Sequence, residues 1–122
     1  MDWDRYPNFR ESEFVCRHCG QVEMDPDFMH RLQGLRNRFN KPMTITSGYR
    51  CPEHPIEAAK ASPGAHTTGK AADVAVQGAE AHRLLAISLE LNFTGIGVQQ
   101  KGEKRFLHLD TLEGARPTVW SY

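Results

Sequence analysis

The chain has 122 residues, of which 39% are hydrophobic and 25% are charged, the size and composition of one ordinary globular domain. Fifteen basic and fifteen acidic residues cancel, so the sequence lacks the positive charge typical of nucleic-acid binding. No apolar run approaches the roughly 18 residues that a membrane span needs, and the polar first residues predict no signal peptide. We expect a single domain over residues 1–122 that acts as a monomer.

Two short motifs in the first half of the chain contain potential zinc ligands. Cys16 and Cys19 form a C-x-x-C motif, and Cys51 and His54 form a C-x-x-H motif. Three thiolates and an imidazole complete a tetrahedral structural zinc site. Reduced thiols, or a disulfide between Cys16 and Cys51 with Cys19 left over, are the alternatives. The odd number of cysteines weakens the disulfide alternative.

Two stretches have the apolar period of an α-helix. The first runs over 26–39, with Asp25 as its N-cap and Pro26 at its first position. The second runs over 78–91 and packs through leucines and alanines. The residues from 53 to 63 are loop-like and contain at most one short helical turn.

Four short apolar segments predict strands, over 43–47, 71–76, 96–99 and 105–110. The polar connection 101–104 predicts that the last two pair as a hairpin. No repeat or linker divides the chain. The sequence therefore predicts an α+β fold, in which a small antiparallel sheet carries the functional site and helices pack on it.

A carboxylate, Asp73, lies inside the second apolar segment, where an unpaired charge costs several kcal/mol. A divalent cation is one possible partner, since neighbouring strands could bring His66, Asp73 and His108 together. Two imidazoles and a carboxylate suit zinc, with one coordination position left for water. In the alternative interpretation these are a loop histidine, a turn-forming aspartate and a core histidine that has other partners.

The sequence around these residues resembles the M15 family of zinc metallopeptidases. This family includes D-Ala-D-Ala carboxypeptidases and phage endolysins and shares its fold with the hedgehog signalling domain. The resemblance extends from Phe28 to Trp120. The motifs that carry it are SGYR at 47–50, HTTGKAAD at 66–73, GIGV at 95–98 and FLHLD at 106–110.

The resemblance implies that His66, Asp73 and His108 bind a catalytic Zn²⁺ and that Arg50 binds a substrate carboxylate. It implies a carboxypeptidase or endopeptidase that cleaves peptidoglycan stem peptides near a D-residue. Relatives often carry a serine two positions before the first histidine ligand. This chain has Gly64 there, and Ser62 is the nearest hydroxyl. Since peptidoglycan lies outside the cytoplasm, we expect a cytoplasmic protein that is released to the cell wall, as a phage lysin or virion-associated enzyme; a bacterial protein exported by another route is the alternative.

The chain departs from the family pattern at the position of the general base. Relatives often place a carboxylate three residues before the last histidine ligand, where this chain has Arg105. Glu103, in the loop before the last strand, and Asp110, two residues after His108, are the two candidates. Glu103 is favoured because a loop carboxylate can swing over an open site, whereas Asp110 could equally orient His108.

Two other functions compete with the peptidase. One is a non-catalytic, zinc-containing cell-wall binding module on the same fold, for which Arg105 at the usual base position is the argument. The other is a zinc-knuckle interaction protein whose functional metal site is the cysteine set.

Overall fold

The computed structural model describes residues 1–62 and 64–122; Pro63, the end of the predicted loop 53–63, lies outside them. One five-stranded sheet and two long helices confirm the predicted α+β class. The strands are β1 (Thr44–Ser47), β2 (Ala71–Ala75), β3 (Gly95–Gln99), β4 (Phe106–Asp110) and β5 (Thr118–Ser121). The helices are α1 (Pro26–Phe39), α2 (Pro55–Ala58) and α3 (Gly78–Glu90), and short 3-10 turns occur at Trp3–Arg5, Glu11–Glu13 and Ala65–Thr68.

Helix α1 begins and ends where its sequence signals place it. The Asp25 carboxylate accepts a hydrogen bond from the N–H of Phe28 at 2.9 Å, and Pro26 is the first helical residue. Asn40 ends the helix in the left-handed region, with φ of 55°. Phe28, Leu32 and other residues of one helical face are buried, so the apolar period of the sequence does mark the core-facing side.

The sheet has the strand order β1-β2-β4-β3-β5. All neighbouring pairs are antiparallel except β3 and β5, which are parallel. The predicted hairpin between β3 and β4 is confirmed, with Gly97 opposite His108. Strand β5 was not predicted, because its four residues are mostly exposed and lack a buried apolar face.

Side chains alternate between the two faces of the central strands. Val74, Leu107 and Leu109 belong to the apolar core, together with residues of α1 and α3. Phe28 of α1 contacts Phe93, with ring centroids 6.1 Å apart. The intervening residues of β2 and β4 point to the opposite face, where the polar site lies.

No helix within residues 1–62 and 64–122 combines the length and the apolar character that crossing a bilayer demands.

Candidate metal centre

Two neighbouring central strands bring two of the three members of the site together. Asp73 of β2 lies directly opposite His108 of β4 in the antiparallel register. His66 comes from the 3-10 turn Ala65–Thr68, which precedes β2 and returns the chain to the same face. All three side chains are buried, with relative exposures of 4% for His66, 7% for Asp73 and 3% for His108.

The ligand atoms of the three residues converge. Oδ1 of Asp73 lies 3.2 Å from Nε2 of His66 and 3.0 Å from Nδ1 of His108. One donor atom from each residue falls within 4.8 Å of the other two. The predicted grouping of His66, Asp73 and His108 is therefore present in the fold.

The second nitrogen of each imidazole faces a fixed acceptor. Nδ1 of His66 lies 2.8 Å from the carbonyl oxygen of Gly48, and Nε2 of His108 lies 2.8 Å from Oδ2 of Asp110. An N–H directed at each acceptor leaves the lone pair of the other nitrogen turned toward Asp73. This backbone-carbonyl and carboxylate support is typical of metal-binding histidines, because it fixes the tautomer and the ring orientation.

The charges in the site are strongly coupled. Burial by itself would raise the pKa of Asp73, but hydrogen bonds with His108 and His66 outweigh burial and hold that pKa well below its usual range. Burial likewise would lower the pKa of His108, whereas the carboxylates of Asp110 and Asp73 raise it. The site is therefore built around a buried carboxylate that needs positive charge beside it.

These residues fit a zinc ion by the chemistry of their donors. Two neutral imidazoles and one carboxylate form a donor set of catalytic zinc sites, which leave one position for water. The buried Asp73 charge supplies the reason for a cation. His66 Nε2, Asp73 and His108 Nδ1 are the atoms that would bind it.

A cleft of about 460 Å³ opens over this group. Arg50 and Lys60 line one part of it, and Arg116, Trp120 and Tyr122 line another. The Trp120 ring contacts His108, with centroids 5.0 Å apart, and the Arg116 guanidinium lies 5.3 Å from the Trp120 ring. The C-terminal strand thus forms a wall of the cleft.

Arg50 is placed at the cleft by a buried carboxylate. Its Nη1 lies 3.2 Å from Oε2 of Glu57, and its Nη2 lies 3.9 Å from Oδ2 of Asp73. Glu57 also accepts hydrogen bonds from the N–H of Gly64 at 2.7 Å and from Lys60. Burial would raise the pKa of Glu57, but these donors outweigh it and lower that pKa. Glu57 therefore remains an ionised anchor for Arg50.

Asp110 faces away from the centre of the metal group. Its side chain is fully buried, and it accepts hydrogen bonds from Arg116 through Nε at 3.0 Å and Nη2 at 2.8 Å. Burial would raise the pKa of Asp110, but His108 and Arg116 hold it well below its usual range. This geometry matches a residue that orients His108.

Two predicted site residues lie elsewhere. Glu103 is exposed in the connection between β3 and β4, and Ser62 is exposed in the segment after α2. Neither is among the residues that line the cleft. Arg105, at the usual base position, donates through Nε to the carbonyl of Gly102 at 2.8 Å, so it closes the hairpin turn. A catalytic role for Glu103 and a substrate contact for Ser62 stay predictions.

The cysteine motifs form a second group of potential ligands. The sulfurs of Cys16, Cys19 and Cys51 lie within 4.8 Å of one another. His54 is not part of that group; its Nδ1 accepts a hydrogen bond from the N–H of Ile56 at 3.1 Å and caps α2. Burial would raise the pKa of the Cys16 thiol, but backbone N–H groups of Cys51, Cys19 and His18 lower it to about 6.

Sequence reasoning missed the supporting residues of the site. Glu57 lies in a segment read as loop, and the Gly48 carbonyl carries no sequence signal at all. Arg116 lies beyond the last predicted strand. A basic residue a few positions after the FLHLD motif was the available clue, because buried carboxylates require partners.

A comparison with protein families matches the model described as Peptidase M15 to residues 7–110. The match spans both ligand groups and ends at Asp110. A comparison with curated proteins finds no match to this chain.

Proposed function

Because the chain belongs to the peptidase M15 family, whose members are zinc-dependent metallopeptidases, we propose that it hydrolyses peptide bonds in the stem peptides of peptidoglycan. The observation that carries this proposal is the oriented, buried group of His66, Asp73 and His108 at the base of a cleft that also contains Arg50. A hydrolytic centre and a group that recognises carboxylates are thus within reach of one bound peptide. Either D,D-carboxypeptidase or endolysin-type endopeptidase activity is compatible with this arrangement.

The chemistry that zinc supplies at such a centre is a bound water of lowered pKa and a polarised carbonyl. The chain's own residues prepare that chemistry. Gly48 and Asp110 fix the ring orientations of His66 and His108, so the ligand geometry exists before substrate arrives. This preorganisation avoids reorganisation during the reaction.

We assign substrate positioning to Arg50. Its side chain is 15% exposed, and its guanidinium contacts Glu57 through Nη1, so its remaining N–H groups can meet a carboxylate. A guanidinium binds a carboxylate through two parallel hydrogen bonds, which fixes direction as well as position. A free C-terminal carboxylate at Arg50 would favour carboxypeptidase activity, and a side-chain carboxylate of the stem peptide would favour endopeptidase activity.

The sequence indicated two carboxylates for proton transfer, Asp110 and Glu103, and we assign them different roles. We propose that Asp110 is a positioning residue, because both of its oxygens already accept hydrogen bonds from Arg116 and one also faces His108 Nε2. Glu103 would have to move from the exposed connection to accept a proton in the cleft. If fully extended, the chain from Glu103 to His108, five residues further on, would span about 16 Å.

A non-catalytic binding module is the second candidate function. It is favoured by one observation: within residues 1–62 and 64–122, Asp73 is the only carboxylate among the residues that line the cleft. A protein of this kind would bind zinc and stem peptides without cleaving them. Both candidate functions act on peptidoglycan, so we propose that the protein works at the cell wall after release from the cytoplasm.

The test is amine release from purified peptidoglycan. We expect zinc-loaded wild type to release new amines, to stop after chelation and to recover when zinc is returned. His108→Ala should be inactive. His82→Ala, a matched change at an exposed histidine of α3, should retain activity. Zinc-loaded wild type that binds peptidoglycan but releases no amines would overturn the peptidase in favour of the binding module.

A further inference from the structure

Three cysteines that are far apart in the sequence meet on the side of the fold next to the cleft. Cys16 and Cys19 follow the 3-10 turn Glu11–Glu13, and Cys51 follows β1 and Arg50. Cys16 and Cys51 are buried at 1% and 4% exposure, whereas Cys19 is exposed. The first two sulfurs are therefore part of the packed interior, and the third closes the group from the surface.

Backbone hydrogen bonds hold Cys16 in a tight loop, and one of them reaches its sulfur. The N–H of Cys51 donates to Cys16 Sγ at 3.3 Å. The N–H of Cys16 donates to the Gln21 carbonyl at 2.7 Å, and the N–H of Gly20 donates to the Cys16 carbonyl at 2.8 Å. N–H donors directed at a sulfur stabilise a thiolate, as they do any anionic acceptor.

The three sulfurs suit a shared cation better than a disulfide. All three cysteines are free, and any disulfide among them would leave the third thiol alone. Sulfurs around a tetrahedral zinc ion, each at about 2.3 Å from the metal, lie about 3.8 Å apart. Separations within 4.8 Å are compatible with that arrangement. Soft thiolate ligands select zinc among the common divalent cations.

We propose that Cys16, Cys19 and Cys51 bind a second, structural zinc ion, separate from the ion at His66, Asp73 and His108. Two histidines are candidates for the fourth ligand: His18 lies between Cys16 and Cys19 in the sequence, His54 follows Cys51 by three residues, and their rings lie 6.2 Å apart. His54 would have to release its capping contact with Ile56 to bind there.

This second site would join the N-terminal segment to the loop that presents Arg50 at the cleft. The N–H of Tyr49 donates to the Phe14 carbonyl at 2.9 Å, and the N–H of Arg50 donates to the His66 carbonyl at 3.2 Å. A zinc ion adjacent to these bonds links the N-terminal segment to the loop that presents Arg50. Structural zinc sites contribute directly to folding free energy.

Zinc content per chain in wild type, Cys19→Ser and His108→Ala tests this proposal. Cys19 is the cysteine to change because it is exposed, so replacing it disturbs the packed interior less than replacing Cys16 or Cys51. We expect two zinc ions in wild type, one in each single variant and none in the double variant that combines Cys19→Ser with His108→Ala. His108→Ala keeps the test independent of the peptidase proposal, because only the cysteine site remains in it.

Cobalt substitution identifies the ligands without any loss of folding. We expect thiolate-to-cobalt charge-transfer absorption in wild type and in His108→Ala, and none in Cys19→Ser. In wild type, the three thiols should resist alkylation until a chelator is added. Wild type that binds a single zinc ion, shows no thiolate absorption and has thiols that react equally fast with and without chelator would overturn the proposal.

Discussion

Replacing Asp110 with asparagine isolates the contact that orients His108. Asp110 is fully buried and accepts from Nε2 of His108 and from Nε and Nη2 of Arg116 at 2.8–3.0 Å. Asparagine keeps one acceptor oxygen and places an amide N–H₂ against a donor, either the imidazole or the guanidinium. The substitution changes no zinc ligand, so any loss of metal affinity reports on orientation.

The size of the effect follows from these contacts. Losing the partner of a ligating histidine costs about 10–100-fold in metal affinity, which is about 1.4–2.8 kcal/mol. The unsatisfied buried donor destabilises the fold by about 1–3 kcal/mol more. We therefore expect Asp110→Asn to bind zinc about 10–100-fold more weakly and to melt at a lower temperature.

Competition with a chromophoric chelator measures the affinity of folded protein, with Glu113→Gln as the control at a nearby exposed carboxylate. Hydrolysis is then measured at saturating zinc, where a positioning residue should allow most of the wild-type rate. Wild-type zinc affinity in folded Asp110→Asn would refute the orienting role. A rate that saturating zinc fails to restore would instead support Asp110 as the proton acceptor.

Arg50→Lys should raise KM about tenfold or more with a smaller change in kcat, because a single ammonium cannot replace the paired hydrogen bonds; steady-state kinetics on a stem peptide and its C-terminal amide check this. The lowered pKa of Glu57 means that its carboxylate adds stability above its unfolded pKa of about 4.3 and loses it as pH falls through the lower folded value. Denaturant unfolding from pH 3 to 6 should show a shallower pH dependence in Glu57→Gln than in wild type. A methyl group at Gly95 would overlap the Asp110 carboxylate, so Gly95→Ala should weaken zinc binding, measured by the same chelator competition. Gly34→Ala, in open space on α1, should bind zinc normally and be slightly more stable.

The elements with strong local signals could be predicted from the sequence. Helix α1 has an aspartate N-cap, a proline at its first position and a continuous apolar face, so both its existence and its start were predictable. Strands β2 and β4 combine short apolar runs with polar residues on the face of the site, which made the pairing of Asp73 with His108 predictable. Strand β5 lacks such a signal because its pairing with β3 depends on tertiary contacts.

In the candidate site, the ligands could be predicted from the sequence but the contacts that support them could not. His66, Asp73 and His108 could be named from motif spacing, and the structure brings their ligand atoms together. The contacts that orient them could not be predicted from the sequence. The Gly48 carbonyl is a backbone group, and Arg116 reaches Asp110 only through the fold of the C-terminal segment. The role of Glu57 was hidden for the same reason, since its partners Arg50 and Gly64 meet it only after the loop closes.

Anomalous diffraction at the zinc absorption edge, from crystals of the zinc-loaded protein, tests the central claim most directly. We expect a peak within coordination distance of His66 Nε2, the Asp73 carboxylate and His108 Nδ1, with the Asp110 carboxylate still on the far nitrogen of His108. A map of the zinc-saturated protein with no peak among these three side chains would contradict it.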